Sequence, residues 1–171
     1  MNKTNVEKLF FTDHGAIPNN PDLPLVLYRG ILSGYIESCA EQFAINNWTN
    51  SWKNGVFDYH HYHSNTHEVL GIVGGTAVIT FGGEQGEAVE VNKGDVVVIP
   101  AGVGHKKERG SADFKVVGAY PNGMDHDLKT GKPEERPKVI ENIQNVPSPD
   151  KDPILGRNGP LIEIWSHVNR N

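Results

Sequence analysis

Gly55-Val56-Phe57-Asp58-Tyr59-His60-His61-Tyr62-His63-Ser64-Asn65-Thr66-His67-Glu68, followed by Gly75, is the stretch on which the reading of this chain turns. Side chains alternate across a β-strand, so a strand over residues 56–63 puts His61 and His63 on one face and His60 and Tyr62 on the other. Ser64-Asn65-Thr66 reads as a short turn, and Glu68 opens the next strand near the same point. On the inner side of a closed sheet these imidazoles and the carboxylate can share one ion.

The residues downstream repeat one pattern. Short β runs are expected over 68–73, 75–81, 87–91, 95–99, 106–109 and 114–120. Gly82-Gly83, Asn92-Lys93-Gly94-Asp95, Pro100-Ala101-Gly102 and Gly110-Ser111 punctuate them. Many short strands between turn signals indicate an all-β barrel or sandwich. Barrel closure can bring the distant His105 to the pair at 61 and 63. Imidazoles with a carboxylate suit Fe, Mn, Ni, Co or Zn and leave coordination positions for water or substrate.

At this point the sequence resembles the cupin superfamily. Gly55, His61, His63, Glu68 and Gly75 stand at the positions of its first motif. Gly94, Pro100, Gly102 and His105 stand at those of the second, where Arg109 replaces the usual final asparagine. The resemblance implies a double-stranded β-helix (jelly-roll) barrel with one divalent metal ion per chain on His61, His63, Glu68 and His105. The flanks are similar to a group of small single-cupin proteins of unassigned function. The expected organisation is one domain over 1–171: an N-terminal arm and helix over 1–50, the barrel core over 51–120, and a C-terminal extension over 121–171. Cupins resembling this chain commonly pair, which implies a homodimer.

The family spacing also admits His67 as a rival to Glu68, but the glutamate is the residue type the motif uses, so His67 is expected to point away or lie at the rim. His60 is expected to pack outside or bond a carboxylate. Strand parity places Lys107 and Arg109 with His105, facing inward, where they are candidate anchors for an anionic substrate; a solvated strand end is the plainer alternative. Tyr59 and Phe57 share parity with His61 and are expected to line the interior; Tyr59 is a candidate to orient a ligand, with plain core packing as the alternative, and Tyr59 or Glu68 is a candidate for an acid/base role. Asp125-His126-Asp127 reads as a polar surface loop, with a cap on the barrel mouth as the alternative.

In the first fifty residues, Leu9-Phe10-Phe11 is a candidate strand, residues 17–24 a loop, and residues 25–28 a strand. Tyr35, Ile36, Cys39, Ala40, Phe43 and Ala44 recur at helical spacing, predicting a helix over 34–47 capped by Ser33. Near the C-terminus, Leu161-Ile162-Glu163-Ile164-Trp165 predicts a strand that returns to a sheet.

Composition narrows the function. With 171 residues, 22% charged and 37% hydrophobic, the chain can bury a core. The net charge of −5, without a stripe of Lys and Arg, gives no footprint for nucleic acid or a membrane surface. A single cysteine, Cys39, excludes an intrachain disulfide. The N-terminal residues lack the apolar run of a secretion signal, so a cytoplasmic location is expected. The reading that combines these features is a metal-binding protein acting on a small polar metabolite, as a dioxygenase or isomerase. The alternative is a non-catalytic sugar or metabolite binder, or a metal sensor.

Overall fold

The computed structural model describes residues 5–166. Nine strands dominate: β1 Val6–Leu9, β2 Leu25–Tyr28, β3 Trp48–Asn54, β4 Glu68–Gly74, β5 Thr76–Phe81, β6 Glu87–Asn92, β7 Val96–Ile99, β8 His105–Gly110 and β9 Lys115–Pro121. Three short α-helices, α1 Cys39–Ile45, α2 Lys138–Asn145 and α3 Pro160–Ser166, and one turn of 3-10 helix over Pro133–Glu135 accompany them. All pairings are antiparallel, in a six-stranded sheet ordered β1-β2-β7-β4-β9-β3 and a three-stranded sheet ordered β6-β5-β8. The two sheets form the jelly-roll barrel that the sequence predicts.

The pattern of side chains explains the layers. Leu25, Leu27, Leu70, Ile72, Val97 and Val116 of the large sheet meet Ala77, Ile79, Phe81, Val89 and Val91 of the small one in the barrel interior. The outer face of the large sheet is buried as well. There Val26, Tyr28, Val69, Val96, Val98 and Ala119 pack with Cys39 and Phe43 of α1 and Leu161 and Trp165 of α3. Burial on both faces is why β2 (LVLY) and β7 (VVVI) read as unbroken apolar runs. Gly71 of β4 permits the close docking of α1, since a Cβ there would lie 2.5 Å from Cys39 Sγ.

Several expectations are corrected. The helix begins at Cys39, not at residue 34, and Ser33 lies in the turn before it. The first strand is Val6–Leu9, paired with β2, so Phe10 and Phe11 fall beyond it. Residues 56–63 form no continuous strand; His61 and Tyr62 make isolated bridges instead, and the strand that precedes them is β3. Residues 161–165 are helical: Pro160 suits a first helical turn, and the buried Leu161 and Trp165 are one turn apart on the face that meets the sheet.

Candidate functional site

His105 opens β8 and lies opposite His61. The two residues exchange main-chain bonds, His61 N to His105 O at 3.3 Å and His105 N to His61 O at 2.9 Å. Gly102 donates its amide to the His63 carbonyl at 2.8 Å; its φ of +92° and the Asn19 carbonyl oxygen 2.5 Å from where a Cβ would stand make glycine the fitting residue. Glu68 opens β4 opposite Ile99. Backbone pairing thus delivers four side chains from three chain segments to one end of the barrel, and all four are buried.

His63, Glu68 and His105 each offer a ligand atom, all within 4.8 Å of one another. Glu68 Oε1 lies 3.5 Å from His63 Nε2 and 3.4 Å from His105 Nε2. Donors about 2.1 Å from a shared ion would be about 3.0 Å apart at an octahedral centre and about 3.4 Å apart at a tetrahedral one. His61 stands beside this tightest group, its ring 4.0 Å from that of His105 and 6.1 Å from that of His63.

The orientation of the rings is the telling feature. His61 Nδ1 is 2.9 Å from the Tyr59 carbonyl, His105 Nδ1 is 3.2 Å from the Val103 carbonyl, and His63 Nδ1 contacts the Asp127 carbonyl. A carbonyl can only accept, so each Nδ1 carries the proton and, in the neutral ring, each Nε2 carries the lone pair. Backbone acceptors behind histidines are how proteins aim imidazoles at a metal. The donor set and its tautomers fit a first-row divalent ion.

Charge within the group is consistent with this. Burial raises the Glu68 carboxyl, but the neighbouring His63 and His105 outweigh it and hold Glu68 well below the usual carboxylate range. Burial lowers His63, yet the Glu68 charge outweighs that and leaves His63 above its ordinary value. Burial, with His105 alongside, pushes His61 down to about 3.

Above the group lies a cavity of about 580 Å³. Trp52, Val56, Phe57, Leu70, Tyr120 and His126 contribute to its walls. Trp52 Nε1 donates to the Tyr120 hydroxyl at 2.7 Å. Burial and the nearby Glu68 charge raise the pKa of that phenol, keeping it neutral.

The other candidates fall elsewhere. Tyr59, Lys107 and Arg109 are not among the residues lining this cavity. A bulge in β8 causes part of that: Ile79 pairs with Lys107 but Val78 with Arg109, so Glu108 is the extra residue and Arg109 loses its parity with His105. Arg109 is exposed, while Lys107 is half-buried and donates its amide to Phe57 O at 2.9 Å. Phe57 and Tyr59 stack on each other at 5.0 Å and are 52% and 40% exposed; of the two only Phe57 contributes to the cavity wall. Tyr59 does reach the site, through its carbonyl and through its ring, which lies 5.5 Å from that of His61. His67 points away from the group: its Nδ1 accepts from the Ala101 amide at 2.9 Å and its ring packs on Trp165. His60 is half-buried, and its Nδ1 has no hydrogen-bond partner among the described residues.

Tyr120 escaped the sequence reading, and His126 entered it only through the alternative of a cap on the barrel mouth. Tyr120 ends a strand whose apolar character marks it as core. His126 sits in the segment read as a surface loop. No local pattern distinguishes either; only pairing of β9 with β4 and folding back of residues 122–129 bring them to the cavity.

A small antiparallel barrel with histidines and a glutamate gathered inside one end defines a class, and residues 51–117 match the model of the Cupin domain. The chain belongs to the cupin superfamily. It is 54% identical over 157 residues to "Uncharacterized protein YjlB" of Bacillus subtilis (strain 168), covering 91% of this chain and 94% of that protein. Similar solved structures include the WlaRB TDP-quinovose 3,4-ketoisomerase from Campylobacter jejuni, at 16% identity and a TM-score of 0.43 over 55% of this chain and 75% of that one. Another is the acireductone dioxygenase from Bacillus anthracis, at 20% identity and a TM-score of 0.38 over 56% of this chain and 64% of that one. Among the described residues no helix is long and apolar enough to cross a membrane.

Proposed function

We propose that the protein is a metal-dependent enzyme that acts on a small oxygen-bearing metabolite, with one divalent ion held by His61, His63, Glu68 and His105. The observation that carries this reading is the set of three Nδ1–carbonyl contacts, which leaves three Nε2 lone pairs beside a buried carboxylate. A first-row ion bound there supplies a Lewis acid for carbonyl or enolate chemistry or, if redox-active, a centre for dioxygen chemistry. The chain's own part is to orient and to enclose. Tyr59, Val103 and Asp127 fix the imidazoles through their carbonyls. Trp52, Val56 and Leu70 make part of the wall apolar, beside the polar Asn50, Ser51, Lys53 and Asn54. Tyr120 keeps a neutral hydroxyl beside Glu68.

The reaction is of the dioxygenase or isomerase type. Metal-loaded protein is screened for oxygen uptake and for isomerisation against small hydroxy-ketones, oxo acids and phenols, beside His105→Ala. Turnover in wild type that is lost in the variant supports the enzyme reading. Saturable binding of these compounds without turnover under any metal supports a non-catalytic binder or sensor instead.

A further inference from the structure

We propose that His126, carried on a loop outside the matched family region, anchors the ligand of this cavity by hydrogen-bonding an oxygen of a flat, oxygen-chelating anion held at the metal. This rests on the metal-centre reading above. The class of ligand is that shared by catecholates, enediolates and 2-oxo acids.

The loop that carries His126 is built, although its composition is that of a free surface turn. Asp127 accepts from the Ser64 amide at 2.7 Å and from the Ser64 hydroxyl. Asn65 donates to Asp125 O at 2.9 Å and accepts from Asp127 N at 3.0 Å. Tyr62 and Lys129 exchange main-chain bonds of 2.9 and 3.0 Å. These bonds hold residues 125–129 against the strip that carries His63.

On that support the His126 ring lies flat on Tyr120, with centroids 4.5 Å apart and planes 14° apart, and meets His63 edge-on at 4.9 Å. It lines the same cavity as the metal-ligand candidates. His61, His63 and His105 each commit Nδ1 to a carbonyl, whereas neither nitrogen of His126 has a hydrogen-bond partner among the described residues. His126 also falls outside the ligand-atom group of His63, Glu68 and His105. His126 is exposed, so water meets its nitrogens until a ligand enters; an imidazole fixed in plane by stacking, close to the metal centre but not within it, and with no protein partner on either nitrogen is placed to meet that ligand. Trp52, Val56 and Leu70 form the apolar part of the wall, which suits a flat, unsaturated body behind the chelating oxygens, and the wall also carries Lys53, whose charge suits an anion.

The test uses full-length protein loaded with cobalt(II) and the chromogenic chelator 4-nitrocatechol, whose absorption shifts on binding a metal. Wild type, His126→Phe, His126→Gln and His63→Ala are compared for metal content and for probe affinity. The phenylalanine keeps the stack on Tyr120 and removes the hydrogen bond. It is expected to retain wild-type metal content while probe affinity falls about tenfold or more, the loss of one hydrogen bond to a charged group. The glutamine is expected to recover part of that loss. Equal probe affinity in wild type and His126→Phe overturns the proposal and leaves the metal centre standing. Metal loss in His126→Phe as large as in His63→Ala overturns it by making His126 a ligand. A metal-loaded wild type that does not bind the probe overturns the proposed ligand class. A wild type that takes up no cobalt overturns the metal centre and the anchor together.

Discussion

Replacing Asp127 by alanine tests whether the returning loop holds the metal centre in place. The Asp127 carboxylate satisfies both the amide and the hydroxyl of Ser64, a residue with no exposed surface. Asn142 of α2 donates to the same hydroxyl at 3.0 Å, so the hydroxyl keeps one partner while the amide is left buried and unpaired. A buried polar group stripped of its partner costs about 1–3 kcal/mol, and the lost bond to the hydroxyl adds about 1 kcal/mol, for a total of roughly 2–4 kcal/mol. At about 2–4 °C per kcal/mol for a chain of this size, the melting midpoint falls by roughly 4–16 °C. The second effect is on the metal. Asp127 lends its main-chain carbonyl to His63 Nδ1, and loosening the loop frees that ring to turn. Weakening an outer-shell partner typically lowers metal affinity by about 10–100-fold, and an indirect loss belongs near tenfold. The assay is thermal denaturation of metal-free protein together with competitive titration of zinc against a chromophoric chelator. A lower melting midpoint with unchanged zinc affinity would refute the reasoning, because it would mean that the loop supports the fold without holding His63.

Further outcomes are expected elsewhere in the molecule. His63 is held above its ordinary pKa by Glu68, and a metal needs its neutral form, so below that raised value affinity should fall by at least about tenfold per pH unit, while His61, neutral down to about 3, adds nothing; a flat profile between pH 5 and 7 would contradict this. Gly71→Val should push on Cys39 Sγ and Phe43, displace α1 and destabilise the protein by about 1–3 kcal/mol in urea unfolding. Arg109→Ala should leave metal content and 4-nitrocatechol affinity within about twofold of wild type, because the β8 bulge turns this side chain out of the cavity.

The barrel was legible in the sequence wherever burial is regular. β4 to β9 fall within a residue or two of the expected runs, because glycine and proline turns bound them and, in all but β8 (HKKERG), apolar residues either alternate or run unbroken. The strip before β4 was harder. β3 is an edge strand with a register shift between Thr49 and Trp52, and Asn50 has a φ of +59°, so its polar residues show no alternation. The alternation in residues 56–63 comes instead from a segment that bridges but does not pair along its length. Residues 161–165 fit either period, and a preceding proline with buried residues one turn apart settles the helix. The histidines and glutamate of the site were readable from their spacing, because the barrel converts those spacings into one place. Tyr120 was not, and His126 only as part of the alternative cap on the barrel mouth, because they reach the cavity through the pairing of β9 and the return of a loop whose partners lie some sixty residues away.

The most direct test of the metal centre is elemental analysis of untagged wild-type protein beside His63→Ala, Glu68→Ala and His105→Ala, each checked for folding by circular dichroism. The account predicts about one first-row ion per wild-type chain and a near-total loss in each folded variant. Wild type that is metal-free and cannot be reloaded, or variants that keep their metal, would contradict it.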